Sequence, residues 1–232
     1  MKRTFIPFVV LYVLFITTMI IALVVYPKGE LHLLLNSYHT PFLDGLFAYS
    51  TQLAEWPFYV IAAFPLLFWK AGWTYLYAAS ELTCALTAFT IKRLYNMPRP
   101  ITFFANSGVD LPLVEGVRMR TQHSFPSGHT STFFAFATLT ALLIACCYDS
   151  RCKDKKATKG IVLTIILFFL PVLGGYSRIY LSQHFLSDVL GGSLIGFIIP
   201  CLMFCLFYKK QWMQKTWFNQ HLLPINKGKK KI

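Results

Sequence analysis

Charged residues are scarce in this chain. They make up 13% of its 232 residues, whereas ordinary soluble domains carry about 25%. Only nine residues are acidic, while 56% are hydrophobic and the mean hydropathy is +0.53. This composition excludes a water-soluble globule and a disordered chain. The six cysteines have no metal-ligand spacing with histidines, which argues against a zinc centre.

The hydrophobic residues fall in blocks long enough to cross a bilayer, which takes about 20 residues as a helix. Residues 5–26 contain no charge and are too long a run for a cleaved signal peptide, so we expect an uncleaved anchor. Residues 27–50 are apolar but interrupted by charges and histidines, which predicts a helix lying in the membrane interface. Five further blocks predict five further spans, at 56–69, 71–91, 130–148, 160–176 and 189–208. The sequence therefore predicts an all-α fold, a bundle of six transmembrane helices.

Lysine and arginine outnumber acidic residues by 22 to 9, which in a soluble protein would suggest a nucleic-acid partner. Here 15 of the 22 lie on the side of the membrane that holds the N-terminus. Because basic loops favour the cytoplasm, we expect both termini inside and no nucleic-acid partner. The other seven basic residues lie on the outer side, and six of them are in the two outer loops that follow spans three and five.

Three polar clusters lie at the outer ends of spans three to six, and therefore on one face of the membrane. They are Lys92 with Arg99 and Pro100; the segment 124–129, Ser-Phe-Pro-Ser-Gly-His; and Ser177 with Arg178, His184 and Asp188.

The cationic residues of these clusters predict an anion site. Lys92, Arg99 and Arg178 can surround a phosphoryl group, since the planar guanidinium fork matches its oxygens bidentately. Ser127 and Gly128 open a helix, whose first backbone N–H groups and dipole add donors for the same oxygens.

The histidines predict a nucleophile and an acid. His184 and Asp188 are spaced i, i+4, which places them on one helix face if the helix of span six starts that early. The carboxylate would then fix the imidazole tautomer and make His184 a nucleophile. His129 lies on the opposite wall, where it can protonate a departing oxygen. The candidate catalytic residues are thus His184, His129 and Asp188.

Together the clusters closely resemble the type 2 phosphatidic acid phosphatase superfamily, membrane lipid phosphatases that share an active site with vanadium haloperoxidases. Its signature is Lys-x6-Arg-Pro, Pro-Ser-Gly-His and Ser-Arg-x5-His-x3-Asp, and the chain matches every specified position. The resemblance extends over residues 50–210. It implies a phosphohistidine at His184, His129 as general acid, and neither a metal nor a cofactor.

The resemblance implies hydrolysis of a phosphomonoester or diphosphate on a membrane lipid. A lipid-to-lipid phosphotransferase and a non-enzymatic transporter or anion-binding protein stay open as alternatives. The candidate substrates are undecaprenyl diphosphate, phosphatidylglycerol phosphate, phosphatidic acid and lipid A. We expect a bacterial inner membrane with the site facing the periplasm. The expected parts are an anchor and interfacial segment (1–50), a catalytic membrane domain (51–210) and a basic cytoplasmic tail (211–232).

Other features lie outside the signature. The loop 101–125 carries Arg118, Arg120 and His123, a possible substrate rim that either selects a headgroup or packs on the surface. Glu81 faces the bundle and is either functional or a hydrogen-bonded structural carboxyl. The pair Gly192-x3-Gly196 predicts close helix packing.

Overall fold

A computed structural model describes residues 3–149 and 154–219, with the side chains of 56–58, 149 and 154–156 left out. Within these ranges the chain forms α-helices and three short 3-10 helices, without strands, so the all-α prediction is confirmed there. The α-helices are α1 (Ile6–Val25), α2 (Lys28–Leu35), α3 (Pro41–Ser50), α4 (Trp56–Trp69), α5 (Ala71–Tyr95), α6 (Pro100–Phe104), α7 (Gly128–Asp149), α8 (Asp154–Tyr180) and α9 (Leu186–Lys209). Residues 220–232, most of the predicted basic tail, lie outside the described part.

In the described part of the chain, four helical segments are long and apolar enough to cross a membrane: Arg3–Val25, Gly128–Tyr148, Ala157–Tyr180 and Leu186–Lys209. They correspond to predicted spans one, four, five and six. The second and third spans stay predictions, because α4 has only 14 residues and the 25-residue α5 does not reach the same hydropathy.

The prediction of a single interfacial helix over residues 27–50 is wrong. The structure has two helices there, α2 and α3. The chain breaks because Thr40 caps α3, its hydroxyl accepting a 3.2 Å hydrogen bond from the amide of Leu43, and because Pro41 follows. A proline restricts the residue before it to extended backbone, so a single helix cannot continue through Thr40 into α3. His32, Asn36 and Phe47 are buried, so both helices pack against the bundle.

Helix α7 lies at the centre of the bundle. Its side chains Phe134, Ala137 and Ala141 are fully buried against α1 and α8 in the main hydrophobic core. On another face, α9 comes so close that a Cβ at Gly192 would lie 2.4 Å from the carbonyl oxygen of Ser127. A Cβ at Gly196 would likewise lie 2.3 Å from that of Ser131. The predicted close packing at Gly192-x3-Gly196 is therefore confirmed.

The antiparallel order of the long helices brings four ends together. Helices α5 and α8 end where α7 and α9 begin, and the three polar clusters lie at these ends. Lys92 and Arg178 occupy last turns, and Asp188 a first turn, so each charge opposes the partial charge of its own helix terminus.

Replacing Gly192 with alanine should push α9 away from α7, because the new methyl group meets the backbone of Ser127 rather than a movable side chain. We expect a loss of about 1–3 kcal/mol in unfolding free energy, seen as a lower midpoint of thermal unfolding in detergent. Gly45→Ala on α3 is the matched control, since nothing lies within 4 Å of its Cβ position. Equal midpoints for the two variants would contradict the packing interpretation.

Candidate active site

A cavity of about 690 Å³ opens at the end of the bundle where the four helix termini meet. The structure brings residues of all three predicted clusters to its wall. The predicted site residues that line it are Lys92, Arg99, Gly128, His129, Arg178 and His184, with Arg118 and Arg120 from the rim. Ser127 and Asp188 lie behind the wall, and His123 lines a neighbouring pocket.

His184 lies in the short loop between α8 and α9 and is 1% exposed. Its Nδ1 atom is 3.3 Å from Oδ2 of Asp188. The same oxygen accepts hydrogen bonds from the amide of Phe185 at 2.9 Å and from the hydroxyl of Ser124 at 2.5 Å. One carboxylate oxygen thus holds the imidazole, the entry to α9 and the segment before α7.

The predicted reason for the His184–Asp188 contact needs correction. Helix α9 begins at Leu186, so His184 precedes the helix and the pair does not share a helix face. The two meet because Asp188, in the first turn, turns back to cap the entry of its own helix. The carboxylate then lies beside the imidazole of the preceding loop.

Burial lowers the pKa of His184 to about 3, against the opposing effect of the Asp188 carboxylate. The imidazole is therefore neutral at pH 7. With Nδ1 next to the carboxylate, we assign the proton to Nδ1, which leaves the lone pair of Nε2 free. A neutral, oriented imidazole is a nucleophile that needs no prior deprotonation.

Two buried arginines form the cationic wall. Arg99 donates from Nε to the carbonyl of Gln122 and from Nη1 to that of Gln183, both at 3.0 Å. Burial and the neighbouring Arg120 lower the pKa of Arg99 to about 10, so it stays charged at pH 7. Arg178 donates from Nη1 to the hydroxyl of Thr51, and its buried Nε has no hydrogen-bond partner among the described residues.

Gln183 is a site residue that the sequence reasoning missed. Its side-chain oxygen accepts from Nη1 of Arg99 at 3.2 Å and from Nη2 of Arg178 at 3.5 Å. Its amide nitrogen donates to the carbonyl of Arg118 at 3.1 Å. The residue therefore joins two motif arginines to the rim. Its one sequence signal is its place directly before His184, inside a motif gap that any residue can fill.

Lys92 connects α5 to the segment before α7. Its Nζ donates to the carbonyl of His123 at 2.9 Å and to that of Ser124 at 3.3 Å. In return, Nδ1 of His123 lies 3.1 Å from the carbonyl oxygen of Lys92. An ammonium group has three donors, so one remains for a ligand in the cavity.

Ser127 caps α7 rather than facing the cavity. Its hydroxyl accepts from the amide of Thr130 at 3.3 Å and from the Thr130 hydroxyl at 2.9 Å. Its own amide donates to the carbonyl of Asp188 at 2.9 Å. The donors left for an anion at this helix start are those of the first turn, where Gly128 and His129 line the cavity.

His129 also borders a smaller pocket of about 260 Å³ between α5 and α7. Glu81 lies in that pocket, where its Oε1 accepts a 2.6 Å hydrogen bond from the hydroxyl of Thr132. Glu81 thus faces the bundle, as its helical phase predicts.

The fold is that of known membrane phosphatases. A transmembrane PAP2-type phosphatidylglycerolphosphate phosphatase from Bacillus subtilis superposes with a TM-score of 0.63 at 22% identity, over 90% of this chain and 98% of that one. LpxE from Aquifex aeolicus superposes with a TM-score of 0.58 at 26% identity, over 76% of this chain and 93% of that one. These similarities and the apolar helices indicate a membrane protein.

The chain belongs to the PAP2 superfamily, which matches residues 72–212. A lipid A 4'-phosphatase of Porphyromonas gingivalis is 25% identical over 80% of this chain and 76% of its own length. A probable diacylglycerol pyrophosphate phosphatase of Schizosaccharomyces pombe is 28% identical over 60% of this chain and 54% of its own. The chain spans about half the length of that relative and of an Arabidopsis thaliana probable lipid phosphate phosphatase. The resemblance inferred from the motifs is thereby confirmed.

Replacing Gln183 with alanine should loosen both arginines and weaken the binding of inorganic phosphate about tenfold, because hydrogen bonds to charged groups contribute about 1.5–3 kcal/mol. Titration calorimetry of the purified protein in detergent measures this affinity. Gln122→Ala is the matched control, since Arg99 contacts its backbone carbonyl and not its exposed side chain. Unchanged phosphate affinity in Gln183→Ala would show that the amide does not hold the arginines in place.

Proposed function

We propose that this protein is an integral membrane lipid phosphatase that hydrolyses a phosphomonoester or diphosphate headgroup through a phosphohistidine at His184. The observation that carries the proposal is the buried His184, held by Asp188 in a cavity walled by Lys92, Arg99 and Arg178. The names of the relatives support a lipid phosphate as substrate, since they refer to lipid A and to diacylglycerol pyrophosphate.

In the first step, Nε2 of His184 attacks phosphorus and the bond to the lipid oxygen breaks. Arg99, Arg178 and Lys92, with the first amides of α7, contact the equatorial oxygens, where negative charge must be stabilised. His129 takes up a proton from solvent when the anionic substrate binds among the surrounding cations, and it gives this proton to the departing oxygen, so the lipid leaves as an alcohol or a shorter phosphate.

In the second step, the now neutral His129 takes a proton from water as the water oxygen attacks the phosphohistidine. The N–P bond breaks, inorganic phosphate leaves and His184 is neutral again. All the charge stabilisation in both steps is assigned to the chain's own cations and amides.

We infer further that the cavity accepts a substrate with a second anionic group. A pocket of about 360 Å³ adjoins the cavity and shares its basic residues. It is lined by Lys92, Arg99, Arg118, Met119, Arg120, Thr121, Gln122 and His123. Its lining holds several cations and no carboxylate, which suits the other phosphate of a diphosphate or of lipid A. Gln183 anchors the rim loop at the carbonyl of Arg118.

The proposed location is a bacterial inner membrane, with six spans, cytoplasmic termini and a periplasmic active site. The basic residues of the opposite side and the bacterial solved neighbours support it. A cysteine at the exposed Ser107, on the site's side, should react with a membrane-impermeant thiol reagent in cells opened only at the outer membrane. Labelling only after lysis would place the site in the cytoplasm.

His184→Ala should abolish phosphate release, by at least a thousandfold in kcat, because the nucleophile is lost. Phosphate release from a panel of lipid phosphates in detergent, with excess chelator present, measures this. His129→Ala should be nearly as severe on lipid substrates and milder on an aryl phosphate, whose leaving group needs no proton. His39→Ala is the control, since His39 pairs with Asp44 outside the cavity. Near wild-type turnover by His184→Ala would refute the mechanism.

Replacing Arg118 and Arg120 with alanine should lower turnover of a diphosphate or lipid A about tenfold. The effect on short-chain phosphatidic acid should be much smaller, because that substrate offers one phosphoryl group. The size follows from about 1.5–3 kcal/mol for a contact to a charged group, reduced by the exposure of the loop. Arg93→Ala is a matched control, since its guanidinium lies over the ring of Phe89. Equal losses on all substrates would indicate general attraction of phosphate.

A further inference from the structure

Helix α2 lies outside the family match at 72–212, yet it contacts the segment that carries His184. Lys28, His32 and Asn36 follow one another at intervals of four residues, so they share one face of α2 and its C-cap. His32 and Asn36 are each 1% exposed, which is rare for polar residues beside a membrane interface.

The residues of this face contact the chain both before and after His184 in the sequence. Asn36 donates from Nδ2 to the carbonyl of Ile179 at 3.0 Å and also reaches that of Tyr180, at the end of α8. Nε2 of His32 lies 3.5 Å from the hydroxyl of Ser182, a residue with a positive φ of 51°. Left-handed backbone is uncommon outside glycine and persists where the surroundings hold it.

The contacts continue on the other side of His184, at Phe185. The His32 ring meets the Phe185 ring edge-on, with centroids 5.2 Å apart. Nζ of Lys28 lies 4.0 Å from the centroid of the same ring, in a cation–π contact. Phe185 in turn donates its amide to Asp188, so the ring contacts also bear on the carboxylate that orients His184.

Helix α2 also reaches the element that carries Arg99. The His32 ring lies 5.9 Å from that of Phe104 on α6, and a Cβ at Gly29 would lie 3.3 Å from the ring of Phe103. Arg99 is the N-cap of α6. The same short helix therefore packs on both the nucleophile loop and the arginine helix.

We propose that α2 acts as a clamp, by which we mean that its packing on the loop that carries His184 fixes the position of that side chain. His32 is the positioning residue. The proposal rests on the proposed function, because it concerns the geometry of the same nucleophile. His32 acts through Ser182 and Phe185 and does not line the cavity. Burial lowers the pKa of His32 to about 4, so at pH 7 it adds no positive charge that would compete for the Asp188 carboxylate.

The test compares His32→Ala, His32→Gln and Leu34→Ala. Glutamine can keep a hydrogen-bonding group near the position of Nε2. Leu34 is an exposed residue on the same helix, so its variant is the control. Steady-state kinetics give kcat and KM, and amide hydrogen exchange followed by mass spectrometry reports on residues 181–185 without requiring activity.

We expect His32→Ala to lower kcat by about ten- to a hundredfold with KM nearly unchanged, the size expected for a displaced catalytic group. Exchange at 181–185 should be faster than in the wild type, His32→Gln should recover part of both effects, and Leu34→Ala should show neither. Unchanged exchange and kcat in His32→Ala would overturn the clamp. So would a parallel loss in the alanine and glutamine variants that follows a drop in thermal stability. A wild-type protein that releases no phosphate would instead refute the proposed function, and the exchange data would still decide on the clamp.

Discussion

The site depends on one carboxylate oxygen, Oδ2 of Asp188. This oxygen accepts hydrogen bonds from the hydroxyl of Ser124, from the amide of Phe185 and from Nδ1 of His184. The backbone carbonyl of the same residue accepts from the amide of Ser127. A buried carboxylate is costly unless it is fully hydrogen-bonded. The cost is offset here by donors that come from two of the three polar clusters, so the hydrogen bonds that stabilise the buried carboxylate also align the site.

The cations of the cavity wall are held in a different way, by neutral acceptors. Among the described residues, the partners that accept hydrogen bonds from Arg99, Arg178 and Lys92 are backbone carbonyls and neutral side chains rather than carboxylates. A carboxylate partner would neutralise the charge that a phosphoryl group needs. Carbonyls fix the geometry of each cation without a direct ion pair, which prepares the cavity for an anion before one arrives.

Much of this could be predicted from the sequence. The spans of 5–26, 130–148, 160–176 and 189–208 rest on long uncharged runs, and the structure places helices there. The three motifs meet because antiparallel helices return to one face. The close approach at Gly192 and Gly196 follows from small residues one turn apart.

Other features could not be predicted because they depend on tertiary contacts. Helix α9 begins at Leu186, which the i, i+4 spacing of His184 and Asp188 alone does not reveal. Gln183 has no motif identity, and its role appears only when two arginines converge on it. The buried face of α2 could not be predicted from its hydrophobic residues alone, since the polar residues His32 and Asn36 are buried beside Leu31.

The central claim is that a phosphoryl group is transferred to His184, and trapping that intermediate tests it most directly. The purified protein would be mixed with a radiolabelled lipid phosphate, quenched in denaturing alkali within milliseconds and digested for mass spectrometry. A phosphohistidine is stable in alkali and labile in acid, so the label should remain on the peptide containing His184 and be released on acidification. With a radiolabelled aryl phosphate, whose leaving group needs no proton, His129→Ala should accumulate the label, because hydrolysis of the intermediate also uses that imidazole. Labelling of another residue, or turnover by the wild type without any labelled protein, would contradict the phosphohistidine mechanism.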